Sequence, residues 1–182
     1  MKRHAAEGPD IFGALIPVRP GHEKPLRALL GGLDAGWRSP FADVPGTHLA
    51  RLVVLRSFGS RAEPRRRLHP ALLAFSAMVD GPVDAWLGKM CVNLGAEGDR
   101  VWSHCAGWPG PEAAACARWL LSLRLRMHAS VIGNPGAPVD EVLGALDRRE
   151  VLRTLALRRG SVSPADLRSA YEAAFGHPRV RG

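Results

Sequence analysis

The chain has little lysine, little cysteine and no long apolar run. Only Lys2, Lys24 and Lys89 supply ammonium groups among 25 basic residues, against 17 acidic ones, so the formal charge of +8 is carried almost wholly by arginine. Its densest run, Arg61 to Arg67, has no aromatic residues interleaved on which bases could stack, which argues against single-strand nucleic-acid binding. With abundant Ala, Gly and Pro, the arginine bias fits GC-rich coding and a solvated basic surface. The three cysteines, Cys91, Cys105 and Cys116, are odd in number and lack CxxC spacing. Cysteine zinc or iron–sulfur centres therefore fail on ligand count, and a reducing, cytoplasmic setting without a disulfide framework is expected. No stretch reaches the roughly 18 apolar residues of a membrane span, and Met1 to Asp10 has no apolar signal core, so no membrane partner is expected. Phosphate-cradling glycine loops are missing too, since Gly31-Gly32 closes a helix, where the dipole repels an anion.

What is present is periodic. At 182 residues with 46% hydrophobic content, the chain can bury a core of its own. Residues 11–18 form an apolar run of strand length. Leu26, Leu29, Leu30 and Leu33 then recur on one helical face, closed by Gly36 and Pro40. His48 to Leu55 is β-branched and apolar, a second strand, and 58–70 reads as an Arg-rich loop before a third strand over 72–79. Asp80-Gly81 makes a turn, with Pro82 placed where the first turn of a helix tolerates it. Val83, Trp86, Leu87, Met90, Cys91 and Leu94 are the cleanest helical stripe in the chain, ended by Gly95 and Gly98.

Alternation over Arg100 to Ala106 suggests a fourth strand, giving a β-α-β-β-α-β order. The expected class is α+β: a flexible 1–10, a ferredoxin-like module with an antiparallel sheet over 11–110, and a helical extension over 111–182. Its helices are expected at 111–128, at 139–158, and from the Ser163-Pro164 start through Phe175, with a short extended turn over 130–136. Such a module covers one sheet face with helices, and the other face calls for a second copy or the C-terminal segment.

The candidate chemistry lies in the histidines. On a fourth strand Trp102 and His104 would share the open sheet face, and His48 would begin the opposite edge strand. They would then meet only across a dimer built through the sheet faces. An imidazole there could act as general base or as haem or metal ligand. Arg51, opposite to His48 on its strand, could hold an anionic group or pair with Asp43 or Asp80. His22, His69, His128 and His177 read as surface residues, and Cys105 as inert packing.

Three segments carry a resemblance: Pro45-Gly-Thr-His-Leu-Ala-Arg51 with Asp80-Gly81, His104-Cys-Ala-Gly-Trp-Pro109, and Asn134-Pro-Gly-Ala-Pro-Val-Asp-Glu141. Over roughly residues 10–150 the chain resembles a bacterial family of the dimeric α/β-barrel superfamily. That superfamily includes antibiotic-biosynthesis-type monooxygenases and haem proteins such as dye-decolourising peroxidases and chlorite dismutases. The Gly-x-x-Asp-Gly signature of the dye-decolourising peroxidases is absent from the chain.

The resemblance implies an oxidative small-molecule enzyme acting as a homodimer. His48, His104 and Arg51 would be its catalytic residues. If haem or a metal is used, His104 or His48 would be the ligand beside Trp102. A non-catalytic ligand-binding or assembly protein of the same fold, and a basic nucleic-acid-binding protein using Arg61 to Arg67 and the C-terminal arginines, are the competing expectations.

Overall fold

A computed structural model describes residues 9–59, 65–127, 136–158 and 163–175. The expected 130–135 turn, His128, His177, Arg61 and the C-terminal arginines lie outside the described residues. The chain divides into two units, Met1–Pro138 and Val139–Gly182.

The first unit is built on a three-stranded antiparallel sheet of order β1-β3-β2, with β1 at Asp10–Pro17, β2 at Thr47–Phe58 and β3 at Arg66–Val79. β1 and β2 both run antiparallel to β3 between them, so they are parallel to each other. Parallel strands need a crossover, and α1 (Glu23–Gly31) followed by a single 3-10 turn (Gly36–Arg38) supplies it. Arg56 of β2 pairs with Glu23 at the start of α1 and ties the crossover to the sheet.

One sheet face is dry. Phe12 and Ile16 of β1, and Leu73 and Phe75 of β3, alternate inward at 0–1% exposure, as the pleat dictates. They pack on α2 (Val83–Trp102) through Trp86, Leu87 and Met90, and on α3 (Ala113–Ser122) through Cys116 and Leu120. α3, read from sequence as part of the helical extension, therefore contributes to the core of the first unit. Its N-terminus is capped by Glu112, whose carboxylate accepts from the backbone N–H groups of Ala114 and Ala115 at 3.0 and 2.8 Å.

Among the described residues of the first unit, no helix covers the other face. Leu15, Leu49 and Val53 are 40%, 53% and 41% exposed there, with Leu72, Ala74 and Met78 half-buried between them. Met127 reaches over the β1 end of this face, its terminal methyl taking the space a β-carbon at Gly13 would need.

Three sequence expectations need correction. Residues 100–106 form no strand: α2 breaks at Gly95, whose φ of 44° and ψ of −121° are non-helical, then resumes through Trp102. The resumed turn is held because Leu94, Gly98, Val101 and Trp102 continue one buried helical stripe. Trp102 is therefore not on the open face but in the core, 1% exposed against Phe75 and Trp119. Among the described residues, single bridges, Val18 to Cys105 and Ala14 to Arg124, line the free edge of β1.

The 58–70 segment is likewise not one loop, because β3 starts at Arg66 and pairs Phe58 with Arg66 and Ser57 with Arg67. Pro70 fits within β3 because it falls in the register irregularity between Leu55 and Ser57 of the partner strand, where a missing N–H interrupts no ladder bond. The helix expected over 111–128 ends at Ser122. Beyond it Leu125 donates its N–H to the Gly13 carbonyl at 2.7 Å and Arg124 pairs with Asp10 at 3.1 Å, which holds this stretch extended along β1.

The second unit contains α4 (Val139–Arg158) and α5 (Pro164–Phe175), which pack on each other at the positions expected. Ser163 caps α5, its hydroxyl accepting from the Asp166 N–H at 3.2 Å. No helix among the described residues is long and apolar enough to cross a membrane.

Candidate functional site

His48 sits where β2 slips register. Thr47 pairs with Val79 and Leu49 with Met78, so His48 is an extra residue in a β-bulge. Bulges re-aim side chains, and this one brings the imidazole onto the turn after β3. His48 Nε2 lies 2.7 Å from Asp80 Oδ1, with the imidazole 12% and the carboxylate 29% exposed. A carboxylate can only accept, so Nε2 carries the proton it donates, and in the neutral ring the lone pair belongs to Nδ1.

The turn before β2 is built to allow this contact. Gly46 has φ of +79°, open to glycine at little cost, and a β-carbon there would stand 3.2 Å from Asp80 Cβ. The Asp80 N–H donates to the Gly46 carbonyl at 2.8 Å. Trp86 of α2 donates its indole N–H to the Thr47 hydroxyl at 3.0 Å, which in turn donates to the Val44 carbonyl at 2.7 Å. Core, turn and bulge are thus joined by successive hydrogen bonds.

Beside this pair lies a cavity of about 450 Å³, between the free edge of β2 and the connection from α1. His48, Arg51, Leu49 and Leu52 line it from the strand, and Leu33, Asp34, Trp37 and Phe41 from the connection. The bulge changes the strict alternation that would have set His48 and Arg51 apart, and both line one cavity. Asp80 serves His48 and Asp34 lies 3.6 Å from Arg38, while no acidic side chain among the described residues pairs with Arg51.

His104 is elsewhere. Thr47, Val79 and Asp10 mark one end of the sheet, whereas the Val18 to Cys105 bridge marks the other. The two ends are separated by the 8 residues of β1, roughly 25 Å at about 3.3 Å per residue. His104 Nδ1 lies 2.9 Å from His22 Nδ1, with the rings edge to face. One imidazole donates and the other accepts, so both cannot hold a proton at Nδ1. Burial, then His22 and Arg19, push His104 below its ordinary value. Arg19 itself donates to the Ser103 carbonyl, and its N–H to the His104 carbonyl at 2.9 Å.

Within one chain the residues proposed for haem do not converge. His48 has its Nε2 taken up by Asp80, His104 lies at the far end of the sheet, and Trp102 is in the core with its indole N–H lacking a partner among the described residues. No group of three or more His, Cys, Asp or Glu side chains among the described residues could hold a metal ion. Cys105 is fully buried and its thiol is pushed up to about 12 by desolvation, so it is not a ready nucleophile. Cys91 is likewise raised, first by its hydrogen bond with Cys116 and then by burial.

Sequence reasoning missed Asp80 as the partner of His48, Trp37 at the cavity rim and His22 against His104. For Asp80 a signal existed, since hairpin pairing of β2 with β3 places the residue after Val79 beside the start of β2. Compared with known proteins, the chain matches no family model, no curated protein and no solved structure.

Proposed function

We propose that the chain is an oxidative small-molecule enzyme of the ferredoxin-like, α/β-barrel type, working without haem, with His48 as general base. The observation that carries this reading is the 2.7 Å contact of His48 with Asp80 at the wall of the 450 Å³ cavity. A carboxylate that accepts from one ring nitrogen fixes the tautomer and stabilises the imidazolium formed when the other nitrogen takes a proton. The imidazolium so formed stands beside the anion left on the substrate and stabilises it, and Arg51 lines the same cavity without an acidic partner among the described residues. In cofactor-free oxidation that electron-rich anion is the species that reduces dioxygen.

The order β1-α1-β2-β3-α2, with β1 and β2 split by β3, supports the ferredoxin-like assignment. In this reading the bridges along the free edge of β1 stand where a fourth strand would pair. The exposed Leu15, Leu49 and Val53 support a homodimer through the open sheet face.

Oxygen uptake with a panel of acidic substrates, 1,3-dicarbonyl compounds and electron-rich phenols, tests the activity. Uptake is expected to fall about 10²- to 10⁴-fold in His48→Ala while the circular dichroism spectrum is unchanged. Uptake equal in the parent and His48→Ala, or none with any compound, would overturn the reading.

A further inference from the structure

We infer that the cavity beside His48 takes a flat, largely apolar small molecule carrying a single ionised carboxylate. The inference rests on the cavity being the working site proposed above, and names what it binds. The volume, about 450 Å³, falls in the range of roughly 300–1,000 Å³ usual for small-molecule sites.

Charge decides the head group. Of the charges lining the cavity, Asp34 is answered by Arg38, and the His48 ring is answered by Asp80. Arg51 is left over, and its planar fork of donors matches a carboxylate in two parallel hydrogen bonds. One guanidinium balances one negative charge. A phosphate dianion would leave its second charge in a cavity whose remaining carboxylate is Asp34, without a cation of its own.

The walls decide the body. Leu33, Leu49 and Phe41 offer apolar surface, and Trp37 stands at the rim with 76% of its surface in water. A large indole so exposed at the mouth of a cavity is a flat face on which a flat ligand can stack. With its carboxylate on Arg51, such a ligand is anchored on the same strand that carries His48.

Calorimetric titration of the full chain with 2-naphthoate, 2-naphthalenemethanol and 2-naphthyl phosphate tests the inference. Naphthoate should bind one per chain, with the alcohol and the phosphate each weaker by about tenfold or more, as expected for loss of a charge-assisted pair. Arg51→Gln should remove the preference for naphthoate while leaving the alcohol unchanged, and Trp37→Ala should weaken all three. Arg51 is exposed, so an unchanged melting temperature confirms that the variant folds. Equal binding of acid and alcohol, tighter binding of the phosphate, no binding of naphthoate, or naphthoate binding untouched by Arg51→Gln would each overturn the inference.

His48→Ala separates this inference from the proposed activity. Arg51-dependent naphthoate binding without any His48-dependent oxygen uptake keeps the ligand class and refutes the enzyme. Uptake that depends on His48 but not on Arg51 does the reverse.

Discussion

At His104, burial together with His22 and Arg19 favours the neutral imidazole in the folded chain. The unfolded chain, with an ordinary value of about 6.5, takes up the proton first as pH falls. The stabilisation tied to neutral His104 is therefore complete above about pH 6.5 and is lost as pH falls through the lower native value. Urea unfolding of the parent and His104→Gln should show a stability difference that narrows on acidification from about pH 7.5 to about pH 5. A difference that stays constant or widens would contradict this assignment. Gly46 gives a second residue-scale prediction. Gly46→Ala places a β-carbon at positive φ and 3.2 Å from Asp80, so it should separate Asp80 from His48 and reduce activity toward that of Asp80→Asn. A Gly46→Ala protein with parent activity would show that the turn does not position the pair.

Among the elements, α2 carries the heaviest packing. Trp86 is 2% exposed, lies against Phe75 and donates to Thr47. Trp86→Ala should therefore cost about 3–5 kcal/mol in denaturant unfolding. Glu112→Ala should cost only about 1 kcal/mol, the usual worth of a helix N-cap, because the residue is exposed and serves α3 alone. These elements are legible in the sequence to different degrees. The stripe from Val83 to Leu94 announces α2 because a helix buried along one side must repeat its apolar residues near 3.6. The stretch beyond Gly95 misleads, because Arg100 to Ala106 alternates like a strand over a window too short to separate the two periods. Leu94, Gly98, Val101 and Trp102 hold the helical signal, but a glycine in that stripe looks like a stop. Its lack of a side chain instead suits the Trp102 ring, since a β-carbon at Gly98 would lie 3.2 Å from the indole nitrogen. The site is legible only in part. His48 and Arg51 follow from residue type, whereas Asp80 and His22 become partners only through strand pairing and chain reversal, contacts that no local spacing encodes.

For the molecule as a whole, the open sheet face bears on assembly. Leu15, Leu49 and Val53 stand in water on one side of a sheet whose other side is dry, an arrangement that association would relieve. Sedimentation of the full chain should give a dimer, and Val53→Glu, which touches neither His48 nor the core, should shift it to monomer with the fold retained. A parent protein that sediments as a monomer at high concentration would remove the homodimer from the account.

In the proposed reaction His48, oriented by Asp80, is the base of an anion-binding cavity. Ring-nitrogen NMR of His48 at a pH where it is neutral reads this role. The expected result is the proton on Nε2 and the lone pair on Nδ1, a preference relaxed in Asp80→Asn, and a perturbation of the His48 ring by 2-naphthoate that disappears in Arg51→Gln. The opposite tautomer, or a His48 ring blind to both Asp80 and the ligand, would contradict it.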